Sequence, residues 1–162
     1  MTSRTAVRLV LLSLAAVATA FALGAPRFTW ENAGLRVEHP RQQGAAALVG
    51  AVALAGAALS GRARARPVAA AGLAAAAALG VLGAHRLAWR VDAVEAGLHE
   101  RTLAGWTRIA WRDVEAVEPR PGALRLRARG GTTITVSTRG FPAEDRARLE
   151  RTIARRVMEA VR

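Results

Sequence analysis

The sequence contains no cysteine, no tyrosine and no lysine, and only three histidines and three phenylalanines. Without cysteine there are no disulfides and no thiolate metal sites, although this says nothing about compartment. The histidines, His39, His85 and His99, share no ligand spacing with one another or with carboxylates, so no metal site is expected. Ser3, Ser13, Ser60 and Ser137 stand in no nucleophile-elbow context, and no glycine-rich phosphate loop is present. Asp92, Glu95 and Glu100 fall near one another in sequence, but nothing marks them as an acid/base couple. Neither an enzyme nor a bound cofactor is expected. Acids are scarce as well, 12 against 24 basic residues, giving a net charge of +12 carried entirely by arginine.

This charge sits on a chain that is 52% hydrophobic, mostly alanine. The two properties are segregated along the sequence. Three blocks carry no charge: Leu9–Ala25, Gly44–Gly61 and Pro67–Ala84. A helix of about 18 residues reaches about 27 Å, close to the roughly 30 Å hydrocarbon core of a bilayer. Arg8, Arg62, Arg66 and Arg86 flank the blocks, where their side chains can extend toward headgroups. The expected organisation is a transmembrane region, residues 1–86, with spans over about 7–25, 44–61 and 67–86. A small α+β domain follows over residues 87–162. The second and third blocks are rich in Ala and Gly and separated by Arg62-Ala63-Arg64-Ala65-Arg66, which suggests insertion as a hairpin.

Gly72, Ala76, Gly80 and Ala84 recur every four residues in the third block. Such a stripe lets helix backbones approach closely, between spans or between subunits. The first block also admits a second reading. Arg4 and Arg8 form a basic n-region and Ala18-Thr19-Ala20 resembles a signal-peptidase pattern, although the apolar run continues to Ala25 and favours an uncleaved span. Loop arginines do not decide sidedness: Arg4, Arg8, Arg62, Arg64 and Arg66 on one side oppose Arg27, Arg36, Arg41, Arg86, Arg90 and Arg101 on the other. Between the first two blocks, Phe28 and Trp30 suit an interfacial anchor. That loop reads as irregular, with a short amphipathic hairpin as its structured option.

Beyond Ala84 the pattern becomes alternating. Leu124, Leu126 and Ala128 fall on one face of a strand, Arg125, Arg127 and Arg129 on the other. Gly130-Gly131 and the β-rich run Thr132–Thr138 complete a hairpin. Shorter strands are expected over Leu87–Ala93, Leu98–Leu103, Trp106–Trp111 and Val114–Glu118. A final helix begins near Pro142. Glu144 and Asp145 suit its positive end, and Leu149, Ile153, Val157 and Val161 form one apolar stripe.

Six strands and a terminal helix make a small antiparallel barrel or sandwich capped by that helix. The region resembles bacterial pleckstrin-homology-like domains attached to membrane spans. The resemblance rests on Glu95-Ala96-Gly97-Leu98, Arg101-Thr102-Leu103, the Ile109-Ala110-Trp111-Arg112-Asp113-Val114 phrase, the Gly130-Gly131 hairpin and the Phe141-Pro142 helix start. It covers about half the chain. It implies a non-catalytic interaction or scaffold module at the bacterial cell (inner) membrane, on the cytoplasmic side, that meets a protein partner or another copy of itself. The family fold usually has seven strands. The basic first-strand loop of lipid-binding relatives is replaced here by Glu95-Ala96-Gly97, so headgroup binding of that kind does not carry over.

A second function class follows from charge alone. Arg125, Arg127 and Arg129 on the strand, with Arg148 and Arg155 on the helix, are candidate contacts to an anionic membrane surface. Nucleic acid is not an expected partner: no recognition motif is present, and Trp89, Trp106 and Trp111 stand at strand positions that read as core.

Overall fold

A computed structural model of the chain describes residues 3–31, 34–60 and 66–161, for Ser3, Arg4 and Glu31 the backbone only. The expected turn at residues 61–65 lies outside the described residues. Among those described there are four α-helices and eight strands, divided into two compact units. One unit comprises Met1–Gly24 and His39–Ala88; the other comprises Ala25–Glu38 and Trp89–Arg162.

The helical unit contains α1 (Ser3–Ala22), α2 (Arg41–Leu59) and α3 (Arg66–Ala88). All three are long and apolar enough to cross a membrane. Their bounds shift a few residues from the uncharged blocks because helices run on into polar flanks. Pro67 sits in the first turn of α3, where its missing N–H costs no hydrogen bond. What these helices bury is mostly small, including Ala15, Ala18, Ala22, Ala47, Ala53, Ala57, Ala76 and Gly50, with Leu79 and Gln43 the larger exceptions. What they expose is large, including Val10, Val17, Phe21, Val52, Leu59 and Val81.

In the predicted small-residue stripe, Gly72, Ala76, Gly80 and Ala84 are all at least half-buried. A Cβ built on Gly72 would come within 2.9 Å of the Ala58 Cβ on α2, whereas one on Gly80 would meet nothing nearer than the Ala51 Cβ at 3.9 Å. A reciprocal backbone approach lies off the stripe. A Cβ on Gly83 would fall 3.0 Å from the Gly44 carbonyl oxygen, and one on Gly44 would fall 3.1 Å from the Gly83 carbonyl oxygen. Backbone meets backbone there, so only glycine leaves room on either helix.

The sheet unit holds β1 (Arg27–Glu31), β2 (Gly34–Glu38), β3 (Arg90–Val94), β4 (Gly97–Thr102), β5 (Gly105–Ala110), β6 (Val114–Arg120), β7 (Ala123–Ala128), β8 (Thr133–Ser137) and α4 (Ala143–Val161). Two open antiparallel sheets form, ordered β1-β2-β3-β4-β5 and β6-β7-β8, in place of a closed barrel. They share one core. Leu35 and Val37 from β2, Val91, Leu98 and Ile109 from β3 to β5, Leu124, Leu126, Ile134 and Val136 from β7 and β8, and Leu149 and Ile153 from α4 are buried together. The apolar stripe of α4 supplies its first half to this core; Val157 is half-buried, and Met158 and Val161 are exposed.

Several expectations are corrected. The segment before α2 is a hairpin, and its second strand pairs with β3 from Leu35↔Ala93 to Glu38↔Arg90. The sheet unit therefore starts at Ala25, not at residue 87, and the α2–α3 pair is an insertion between two adjacent strands of one sheet. The cause is local: Phe28-Thr29-Trp30 and Leu35-Arg36-Val37 alternate, and Gly34 takes φ +153 at the turn, with Ala93 backbone where a Cβ would stand. Phe28 lies against the Phe141 ring at 4.3 Å, and Trp30 packs on the core edge, so both aromatics serve this domain. The strand expected over Leu87–Ala93 begins only at Arg90, because α3 continues through Ala88.

Candidate functional site

Hydrogen bonds and ion pairs account for most of the polar groups singled out in the sequence. Asp92, buried on β3, accepts from Arg36 Nε of β2 at 2.9 Å and lies 2.8 Å from Arg90 Nε. Arg36 and Asp92 are direct cross-strand partners, so the carboxylate ties together strands that lie on either side of the inserted helices in sequence. Glu100 accepts the Trp89 indole N–H at 3.0 Å, and the Trp111 indole donates to the Val94 carbonyl at 2.8 Å. Glu95 is exposed, and His99 faces Asp92 and Arg108 in register. No three His, Asp or Glu side chains converge on one point among the described residues.

The arginines on β7 have acidic neighbours. Arg125 is in register with Glu118 of β6, and Arg127 Nε lies 3.6 Å from a Glu115 oxygen. The Glu118 carboxyl is held below its ordinary pKa chiefly by a hydrogen bond from Arg120, with Arg125 and Arg127 adding attraction. Arg129 is exposed at the strand end. This face carries mixed charge.

The arginines on α4 are placed differently. Arg148, Arg151, Thr152, Arg155 and Arg156 recur at i, i+3, i+4, i+7 and i+8, one strip of helix beside the buried stripe of Leu149 and Ile153. Together with Trp30 and Gly34 of the β1–β2 hairpin they line a groove of about 500 Å³. The Arg148 guanidinium lies over the Trp30 ring at 4.3 Å. Arg155 and Arg156 share Glu159, each at 3.8 Å. Arg148 and Arg151 make no ion pair among the described residues. The Trp30 indole nitrogen is buried and has no described partner. The expected surface contacts thus separate: Arg148 and Arg155 line the groove, Arg125, Arg127 and Arg129 do not. Trp30, Arg151, Thr152 and Arg156 join them. The helical spacing of the arginines was legible in sequence; the part played by Trp30 depends on the hairpin folding onto the sheet.

In the helical unit a second polar cluster stands where α1 ends, α2 begins and α3 ends. Arg86 Nη1 donates to the Gly24 carbonyl at 2.8 Å and to Gln43 Oε1 at 2.9 Å, and lies 3.2 Å from His39 Nδ1. An arginine can only donate, so Nδ1 accepts from Arg86 only when it is unprotonated; when it carries a proton it donates instead to Gln43 Oε1, 3.3 Å away. Burial, the largest cause, and then Arg86 lower the His39 pKa below its ordinary value, while the hydrogen bond with Gln43 works the other way.

No family model matches the chain, and no curated protein or solved structure matches it either.

Proposed function

We propose that this chain is a membrane-anchored interaction or scaffold module without catalytic activity, in which three spans hold a bacterial pleckstrin-homology-like domain at the cell (inner) membrane for a protein partner or a second copy. The observation that carries this reading is the β2–β3 pairing. Glu38 and Arg90 are neighbours in one sheet, and a folded sheet cannot straddle a bilayer with open edges in lipid. The chain between them therefore crosses an even number of times: if α2 spans, α3 spans back. The domain is then tethered at both ends of an inserted hairpin, an arrangement suited to holding a module close to the bilayer. With α1 as a third span, the N-terminal Arg4 and Arg8 share a side with Arg62, Arg64 and Arg66, and the whole sheet unit lies on the other.

The test has two parts. Reporter insertions between Asn32 and Ala33, within residues 61–65 and at Arg162 read out sidedness, with the first and third expected on one side and the second on the opposite one. A photoreactive residue at Leu103, exposed in the β4–β5 turn, should give discrete crosslinked species in native membranes. Residues 61–65 reporting the same side as Arg162 would refute the anchoring, and monomer alone after crosslinking would refute the interaction role.

A further inference from the structure

We infer that the groove between α4 and the β1–β2 hairpin is a binding site for a phosphate-bearing anion, a phosphomonoester or phosphodiester group held by arginine forks. This goes beyond the interaction role and does not depend on it.

Four guanidinium charges occupy little more than two turns of α4. Like charges at helical spacing repel one another. Glu159 offers one carboxylate to two of them, at 3.8 Å in each case, longer than a well-formed charged hydrogen bond of about 2.7–2.9 Å. Arg148 is positioned without being neutralised. Stacking on Trp30 restrains the guanidinium plane and leaves its N–H edge for an acceptor. Among the described residues Arg151 has no ion-pair partner, and no described carboxylate lines the groove.

The unmatched groups are therefore donors of one kind, planar and bidentate. Their natural complement is an anion with several oxygens on one atom, which can take two forks at once. Thr152, one turn beyond Arg148, adds a hydroxyl to the same wall. The groove is larger than a single phosphate and open to a substituent, so the phosphate can be part of a lipid headgroup or free in solution.

The β7 arginines supply an internal control, because they carry the same charge beside Glu115 and Glu118. The experiment uses the full chain in neutral detergent. It is titrated with inorganic phosphate at constant ionic strength, with chloride as the reference, and separately with phosphatidate against phosphatidylcholine of the same acyl chains. The readout is tryptophan fluorescence of the wild type less that of Trp30→Phe. A saturable change is expected in at least one phosphate arm and in neither reference. Arg148→Gln/Arg151→Gln should raise its midpoint about tenfold, as charged forks are lost, and Arg125→Gln/Arg127→Gln less than about twofold. Saturation with phosphatidate alone identifies a headgroup site. Saturation with inorganic phosphate as well identifies a site for the phosphate group itself. If Arg148→Gln/Arg151→Gln lowers the thermal midpoint, Arg155→Gln/Arg156→Gln on the same strip takes its place. No saturation in either arm, or equal losses in the α4 and β7 variants, would overturn the site.

Discussion

In the helical unit the buried positions are mostly Ala and Gly, with Leu79 and Gln43 the larger exceptions, and many Val, Leu and Phe are exposed; in the sheet unit most Leu, Ile and Val and the indoles of Trp89 and Trp111 are inside, Trp106, expected in the core, is 47% exposed, and most of the arginine is outside. The sheet unit follows the ordinary consequence of water: large apolar groups associate because water is displaced from them. The helical unit inverts that order, as expected where the surrounding medium is itself apolar and helices associate by close backbone approach. One chain of a single, alanine-heavy composition thus carries two packing patterns, and the exposed apolar side chains of the helical unit are compatible with membrane spans.

The sharpest way to break this contrast is to truncate one large side chain in each unit. Leu126 is fully buried, and Leu126→Ala should cost about 2–5 kcal/mol, the transfer and cavity penalty of a core leucine. Val52 is 75% exposed, and Val52→Ala should change stability by less than about 0.5 kcal/mol in detergent. All four tryptophans, Trp30, Trp89, Trp106 and Trp111, belong to the sheet unit, so their fluorescence follows its unfolding while circular dichroism at low temperature reports the helices. Comparable losses at both positions would mean that the helical unit has a conventional core.

A smaller effect separates two glycines on α3. Gly83→Ala drives a Cβ toward the Gly44 carbonyl and Leu48, both at 3.0 Å, and should lower helical stability by about 1–3 kcal/mol. Gly80→Ala has its nearest contact at 3.9 Å and should be neutral within about 0.5 kcal/mol. Thermal scans of the two variants by circular dichroism decide the matter, and a reversed order would mean that α3 is not held against α2 at Gly83.

Within the sheet unit, Asp92→Asn leaves Arg36 and Arg90 facing each other across strands. Both arginines are about one-third exposed, so water screens the repulsion and the expected cost is about 1–2 kcal/mol. Denaturant midpoints read by tryptophan fluorescence should show it, and an unchanged midpoint would mean that strand pairing alone holds β2 to β3.

The smallest effect concerns pH. The folded state lowers the His39 pKa, so the unfolded chain binds the proton first as pH falls. The contribution of neutral His39 is present above its ordinary value of about 6.5 and is lost as pH drops from there through the folded value. His39→Gln should flatten that acid limb for the helical unit and leave the sheet unit's profile as it was. An acid limb of equal slope in both proteins would assign it to other groups.

Much of this was readable in the sequence. The uncharged blocks gave three helices to within a few residues, because hydropathy over a long window is a local property. Alternation at Leu124–Ala128 and Thr133–Ser137 gave the β7–β8 hairpin, and the four-residue recurrence from Leu149 gave the buried stripe of α4. The β1–β2 hairpin was legible only as an option: its strands are five residues each and gain their stability by joining β3 across the whole helical insertion. The groove was half legible. Arg148 and Arg155 stood out as charge, but a sequence does not say which arginines acquire acids; Glu115 and Glu118 reach the β7 arginines only through strand register.

The sequence by itself determined the segregation of charge from apolar length, the period of the longer elements and the buried side of β7 and of the first half of α4. These depend on residues within a few turns of one another. Tertiary structure alone decided that Ala25–Glu38 and Trp89–Arg162 form one unit, that Gly44 meets Gly83, and that Trp30 lies beneath Arg148. Each of these joins residues far apart in the chain, whose meeting depends on the closure of the whole fold and on no local preference of either partner.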